Sequence, residues 1–204
     1  MKFPVIPANN RSLYNRKLVE GVGINNADYQ TQPTVNGKKI TCPFYRKWHS
    51  MLIRCYSVKH LKEQPSYVGC TVCDEWLTFS NFKAWMIKQD WQGNHLDKDI
   101  IKTGNKIYSP SNCMFVSGDI NNLLIGHASS RGKHPQGVHY QKAIGKFQAC
   151  CKVNGKGKHL GYYETASEAS SAYKKFKSCH VAEIALTQSE PLKSALLRAS
   201  NDLA

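Results

Sequence analysis

Residues 137–173 read GVHYQKAIGKFQACCKVNGKGKHLGYYETASEASSAY, and the spacing predicts three short strands followed by one helix. Over residues 146–153 the side chains alternate. Phe147, Ala149, Cys151 and Val153 fall on one side, and Lys146, Gln148, Cys150 and Lys152 on the other. Asn154-Gly155 suits a tight hairpin turn that needs positive φ, so residues 158–163 return as the third strand. Thr165 with Glu168 three residues later forms a capping box, and Ala169, Ala172, Tyr173 and Phe176 make a helical apolar stripe. A sheet covered by a helix on one face keeps its other face free. Here that face is basic and polar, which suits the DNA major groove, wide enough to admit strands.

The order Gly137-Val138, Gly145-Lys146-Phe147, Ala149, Leu160-Gly161-Tyr162-Tyr163, then Thr165 and a helix through Ala172-Tyr173, resembles the plant ethylene-response-factor (apetala-two) DNA-binding domain over roughly a quarter of the chain. That family lays its three-stranded sheet in the major groove. The resemblance implies contacts at Gln136, His139, Gln141, Cys150, Lys152 and His159. Lys142, Lys146, Gln148, Lys156 and Lys158 extend the expected surface. The family's contacts are mainly arginines and tryptophans, and none of the first six positions carries either. Bidentate guanine reading by arginine is therefore absent, and the plant domain's sequence preference does not transfer.

Composition agrees with a polyanionic partner. The chain has 204 residues and a formal charge of +14, enough length for one large domain or two small ones. The surplus is shared: residues 1–130 carry 16 Lys/Arg against 9 Asp/Glu, and residues 131–204 carry 12 against 5. Such charge sets electrostatic attraction without choosing a sequence. No apolar run approaches membrane-spanning length and the N-terminus lacks a signal-peptide core, so a cytoplasmic protein is expected. Cys70-x-x-Cys73 is the one zinc-like spacing among eight cysteines; a structural Zn²⁺ site needs a second pair, and buried free thiols are the default.

Residues 1–40 are polar and rich in Asn and Gly, an arm with a strand expected at 17–24. Pro43 opens a helix with Phe44, Trp48, Met51, Leu52, Cys55 and Tyr56 on one face and Arg46, Lys47 and Arg54 on the wet side. Residues 67–73 read as extended, and Ser80 as the cap of a helix turning Phe82, Trp85 and Met86 inward. GHASSRGKHPQ at 126–136 is breaker-rich and reads as a linker. Pro191 precedes a short amphipathic helix in the 187–204 tail that carries Leu192, Leu196 and Leu197.

Residues 94–124, NHLDKDIIKTGNKIYSPSNCMFVSGDINNLL, carry the second constellation. A strand at 95–101, a loop at 103–111, a return strand at 113–117 and a helix from 119 follow the plan of a ββα-metal site. The tail Tyr108-Ser-Pro-Ser-Asn112-Cys-Met-Phe-Val116 with Asn121 resembles the HNH nuclease motif. Trp48-x-x-Met51-x-x-Arg54-Cys55-Tyr56 and Cys73-Asp-Glu-Trp76 are similar to a bacteriophage branch of it, as is GVGINNADY at 21–29. The fold expected is thus α+β: a 41–125 HNH-like (His-Me finger-like) domain joined to a 137–186 sheet-and-helix domain.

The resemblance implies a homing-type endonuclease that hydrolyses double-stranded DNA with Mg²⁺ or Mn²⁺. Asp97, Asp99 and Asn121 would be ligands, Asn112 would fix the loop, and a base would stand at the end of the first strand. Aligning residues 96–99 with the family puts Asp97 or Lys98 where the catalytic histidine stands, with His95 close by. A non-catalytic DNA-binding protein on the same fold is the alternative, and an RNA-binding protein ranks last because no RNP-type aromatic pattern is present.

Overall fold

The computed structural model describes residues 3–124 and 133–203. The chain divides into two compact units, Met1–Val116 and Ser117–Ala204. The division falls ahead of the breaker-rich 126–136 segment, of which residues 126–132 lie outside the described residues. Both units are α+β.

The first unit runs α1 (Asn10–Tyr14), β1 (Thr34–Val35), β2 (Lys38–Lys39), α2 (Pro43–Tyr56), α3 (Val58–Glu63), β3 (Thr71–Val72), α4 (Asp74–Leu77), α5 (Phe79–Met86), β4 (His95–Asp97), β5 (Ile107–Tyr108) and β6 (Met114–Val116). Its strands are short and pair only two by two: β1 with β2 and β4 with β6 antiparallel, β3 with β5 parallel. So little sheet cannot organise a core, and helices do it instead. Pro43 starts α2 where a missing N–H costs nothing. Along α2 the residues Tyr45, Trp48, Met51, Leu52 and Cys55 are buried at helical spacing, and they meet Trp76, Phe79, Phe82 and Met86 from α4 and α5. Trp48 Nε1 donates to the Trp76 carbonyl at 2.7 Å, so this indole is buried without an orphaned donor.

The N-terminal arm is part of this core. Ala27 and Tyr29 are buried in it, and the Arg16 guanidinium donates to the carbonyls of Asn25, Ala27 and Tyr29. No strand forms at 17–24; single bridges pair Val19 with Gly23 and Ile24 with Thr78, because a turn through Glu20 and Gly21, both at positive φ, folds the segment back on itself. The extended stretch expected at 67–73 shrinks to β3, preceded by a single 3₁₀ turn at Pro65–Tyr67. Ser80 is not the cap of α5. Thr78 holds that position, while the Ser80 N–H donates to Asn26 Oδ1 at 3.0 Å.

The second unit runs α6 (Gly118–Leu124), β7 (Val138–Gln141), β8 (Lys146–Val153), β9 (Lys156–Tyr163), α7 (Ala166–Leu186) and α8 (Leu192–Asn201). β7, β8 and β9 form one antiparallel sheet in that order, and α7 packs on it through Ala169 and Tyr173. Asn154 and Gly155 both have positive φ, as the β8–β9 hairpin requires. The Thr165–Glu168 capping box is made in both directions at 3.2 Å. Gly137 admits no side chain: an added Cβ would lie 2.1 Å from the Tyr173 ring, and its φ is +76°. The 187–204 tail is held to α7, where the Ser178 hydroxyl donates to the Ser200 carbonyl at 2.9 Å and the Ser200 hydroxyl returns a bond to the Ser178 carbonyl. Among the described residues no helix is long and apolar enough to cross a membrane.

Candidate functional site

β4 stops at Asp97 rather than running on to residue 101. The cause is Asp97 itself: its Oδ1 accepts the N–H groups of Asp99 at 2.7 Å and Ile100 at 2.8 Å, an Asx turn that diverts the backbone from the ladder. The loop behind it is locked by a buried lysine. Lys98, 5% exposed, donates through Nζ to both Asp99 oxygens at 2.7 and 2.8 Å and to the Asn105 carbonyl at 2.8 Å. Asn105 replies by donating to the Lys98 carbonyl. Asn112 reaches the same cluster by donating to Asn105 Oδ1 at 3.2 Å, so it braces the loop.

This geometry sorts the expected site residues. Both Asp99 oxygens accept from Lys98, a pair with which any ligand role of Asp99 would compete. Asp97 keeps Oδ2 free of hydrogen bonds among the described residues. His95 and Asp97 are two apart on β4 and share a face, paired with Val116 and Met114 of β6. Asn121 sits on α6, within the second unit. Among the described residues no three His, Cys, Asp or Glu side chains gather as a metal cluster. Of the two that share a face, the Asp97 carboxylate is the donor a hard divalent ion takes, through few protein atoms.

The basic residues of α2 are not uniformly on the wet side. Only Arg46 is exposed. Lys47 Nζ donates to the Asn94 carbonyl, and Arg54 donates to the Leu96 carbonyl at 3.3 Å, so both bind the backbone around His95. Arg46, Lys47, Ser50, Arg54 and His95 line a cleft of about 150 Å³. Burial pushes the Lys47 ammonium below its ordinary pKa, and repulsion from Arg54 and Arg46 adds to the shift. Three cationic side chains thus gather around one small cleft.

On the second unit the register settles which side chains face outward. His139 pairs with Gln148, Gln141 with Lys146, Cys150 with His159 and Lys152 with Gly157. This set lies on the face away from α7, joined by Tyr162 opposite Gln148. Gln141 donates to Gln148 Oε1 at 2.6 Å, and Gln148 Nε2 lies 2.9 Å from His159 Nδ1, so the face carries a linked polar row. The Tyr162 and His159 rings pack with centroids 4.6 Å apart and planes tilted by 52°.

Lys156 and Lys158 depart from expectation. They pair with Val153 and Cys151, on the side facing α7, and Lys158 Nζ lies 4.5 Å from the Phe176 ring. Alternation cannot put both Lys158 and His159 on one face. Lys146 is on the outer face but pairs with Glu164 at 2.7 Å. Lys142 lies exposed in the β7–β8 turn, and Gln136 is half-buried just before Gly137.

Cys70 and Cys73 are free thiols, as are the other six cysteines. Burial raises the thiols of Cys55 and Cys113 to about 12, where they act as small apolar groups.

Sequence reasoning allows a salt bridge of Asp97 or Asp99 with Lys98 or Lys102, and the structure makes the Lys98–Asp99 pair; the burial of Lys98 and Tyr162 as a surface ring are not foreseen. The second is hidden by a bulge between Ala149 and Cys150 that resets the alternation of β9. Comparison with known proteins finds no family model, no curated protein and no solved structure that matches this chain.

Proposed function

We propose that the chain is a metal-dependent DNA endonuclease of HNH type, with the β4–β6 region as its cutting site and the β7–β9 sheet as a second hold on duplex DNA. The observation that carries this reading is the pairing of His95 and Asp97 on one face of β4, with His95 lining the Arg46–Lys47–Arg54 cleft. Phosphodiester hydrolysis asks for a base, a hold on the phosphate and charge to offset the departing oxygen. His95 takes the proton of the attacking water. Arg46 and Lys47 draw the scissile phosphate into the cleft, and Arg54 fixes the backbone at Leu96 so that His95 keeps its aim. Asp97 would hold a divalent ion, whose positive charge would favour the developing anionic oxygen. The Lys98–Asp99–Asn105 lock keeps Asp97 from moving.

The sheet contributes differently. Gln141, Gln148, Lys152 and His159 offer donors and acceptors to a groove, and a tethered second site raises the local concentration of DNA at the first. Without arginine on this face, its sequence discrimination is modest.

A supercoiled-plasmid assay with Mg²⁺ or Mn²⁺, and with EDTA, tests the reading. Asp97→Asn keeps the Oδ1 acceptor that builds the turn while removing the charge, and nicking should fall by about 10²-fold or more with DNA affinity unchanged. Nicking at the wild-type rate would remove Asp97 from the site. One observation favours a second reading, a DNA-binding protein without cleavage: Asp99 is spent on Lys98 and half of Asp97 on its turn. Binding that survives EDTA, with no cut under either metal, would select it.

A further inference from the structure

One cavity of the first unit takes no part in the chemistry above. It measures about 690 Å³ and is lined by Phe3, Tyr29, Phe44 and Trp91, with Lys83 and Asp28 among the polar groups. That volume is of the size that accepts a small organic group, and its composition is unusual for a packing defect. The Lys83 ammonium lies 4.7 Å from the Tyr29 ring and 5.8 Å from the Phe44 ring, and it meets no carboxylate or carbonyl among the described residues. Phe44 and Trp91 pack with ring centroids 4.8 Å apart. A partly shielded ammonium between aromatic walls, with a carboxylate in the same lining, wants an occupant that is flat, apolar on its faces and rich in acceptors and donors at its edge.

The position narrows the choice. Phe44 of the pocket and Lys47 of the basic cleft are three residues apart on α2, neighbours on one helical face. Trp91 and His95 are joined through Asn94, whose N–H donates to the Trp91 carbonyl at 3.1 Å and whose own carbonyl accepts from Lys47. Cleft and pocket therefore draw on the same turn of α2 and the same 91–95 segment, one cationic and one aromatic.

We propose that this pocket receives an unpaired nucleobase of the strand whose phosphate lies in the cleft. The inference rests on the phosphate-binding reading of that cleft. The base stacks on the aromatic walls, Lys83 donates to a ring nitrogen or carbonyl, and Asp28 accepts from an exocyclic amine or ring N–H. Stacking is tolerant of sequence because every base has a π-face, and the cost of unstacking makes unpaired or weakly paired positions the favoured ones. The site thus selects for local strand opening rather than for a sequence.

The test compares binding of the full chain to a short oligothymidylate and to an abasic strand of equal length and charge. The wild type should prefer the base-bearing strand by about tenfold or more. Lys83→Met keeps the aliphatic stem between the rings, and Trp91→Ala removes a wall; each should cut the preference severalfold, with Trp91→Phe restoring most of it. No preference in the wild type, or one untouched by both variants, overturns the proposal. Arg46→Gln separates the two ideas. Weaker, less salt-dependent binding of the abasic strand in that variant, with no base preference in the wild type, would discard the pocket and leave the cleft standing. A base preference carried by Lys83 and Trp91 with no effect of Arg46→Gln would keep the pocket and discard the cleft.

Discussion

The first unit buries Trp48, Trp76, Phe79 and Phe82 completely and gets by on strands of two or three residues. The second has eight-residue strands and a 21-residue helix, yet its sheet core centres on Val138, Ala149 and Ala169. One is stabilised by aromatic volume and by side chains bonded to loop backbone, the other by regular ladders and close approach. The contrast matches the work proposed for each. A cutting site needs a few groups held at fixed places on an irregular loop, and Lys98 and Asn105 hold them; a surface that lies along a groove needs only a regular sheet with one free face.

The largest expected effect tests the aromatic side of that contrast. Trp48→Ala should cost about 4 kcal/mol, read by urea unfolding with tryptophan fluorescence. All four tryptophans fall within residues 48–91, so this signal reports the first unit. A cost under about 1 kcal/mol would mean that its core is not the tight body described here. On the other side, Gly137→Ala places a Cβ against Tyr173 at positive φ and should destabilise the second unit by about 2 kcal/mol. Far-UV circular dichroism would follow the loss of the long helix, and an unchanged melt would show that the sheet and helix are not in close contact.

Alkali should sharpen the difference further. Cys55 and Cys113 have an ordinary pKa of 9.0 that burial lifts to about 12. Between these values the folded unit keeps protons that the unfolded chain sheds, so stability is complete below about pH 9 and falls as pH rises towards 12, by about 1 kcal/mol per thiol at pH 10. Denaturant midpoints taken from pH 8 to pH 10 should drop in the fluorescence signal; a flat profile would place these thiols in contact with water. The smallest effect belongs to the local signal that sequence shows best. Thr165→Ala removes one half of the capping box and should cost about 1 kcal/mol, measured by thermal melting of the helical signal, and no change would mean that the cap is redundant with packing.

Local pattern carried much of the reading. The alternation of residues 146–153, the Asn154-Gly155 turn, the Thr165–Glu168 box and the α2 stripe behind Pro43 all lie within one or two turns of chain, where period and cap chemistry decide. They placed the three-stranded sheet, its helix and the α2 face, and through them the outward Gln148, Cys150 and Lys152, while His139 and Gln141 came only from the family resemblance. Period does not survive a bulge, which hides Tyr162, whereas plain alternation with His159 already turns Lys156 and Lys158 to the face towards α7.

Contacts between distant segments were another matter. That Arg54 turns inward to the Leu96 carbonyl and Lys47 to the Asn94 carbonyl depends on where the chain returns after more than forty residues, and the burial of Lys98 depends on the packing around it. A lysine beside two aspartates looks like a solvated charge run until the fold buries it. Composition decided that this protein is strongly basic, and periodicity decided its longer elements. Only the tertiary structure decided which charges are free to meet an anion, because burial and pairing are properties of neighbours in space.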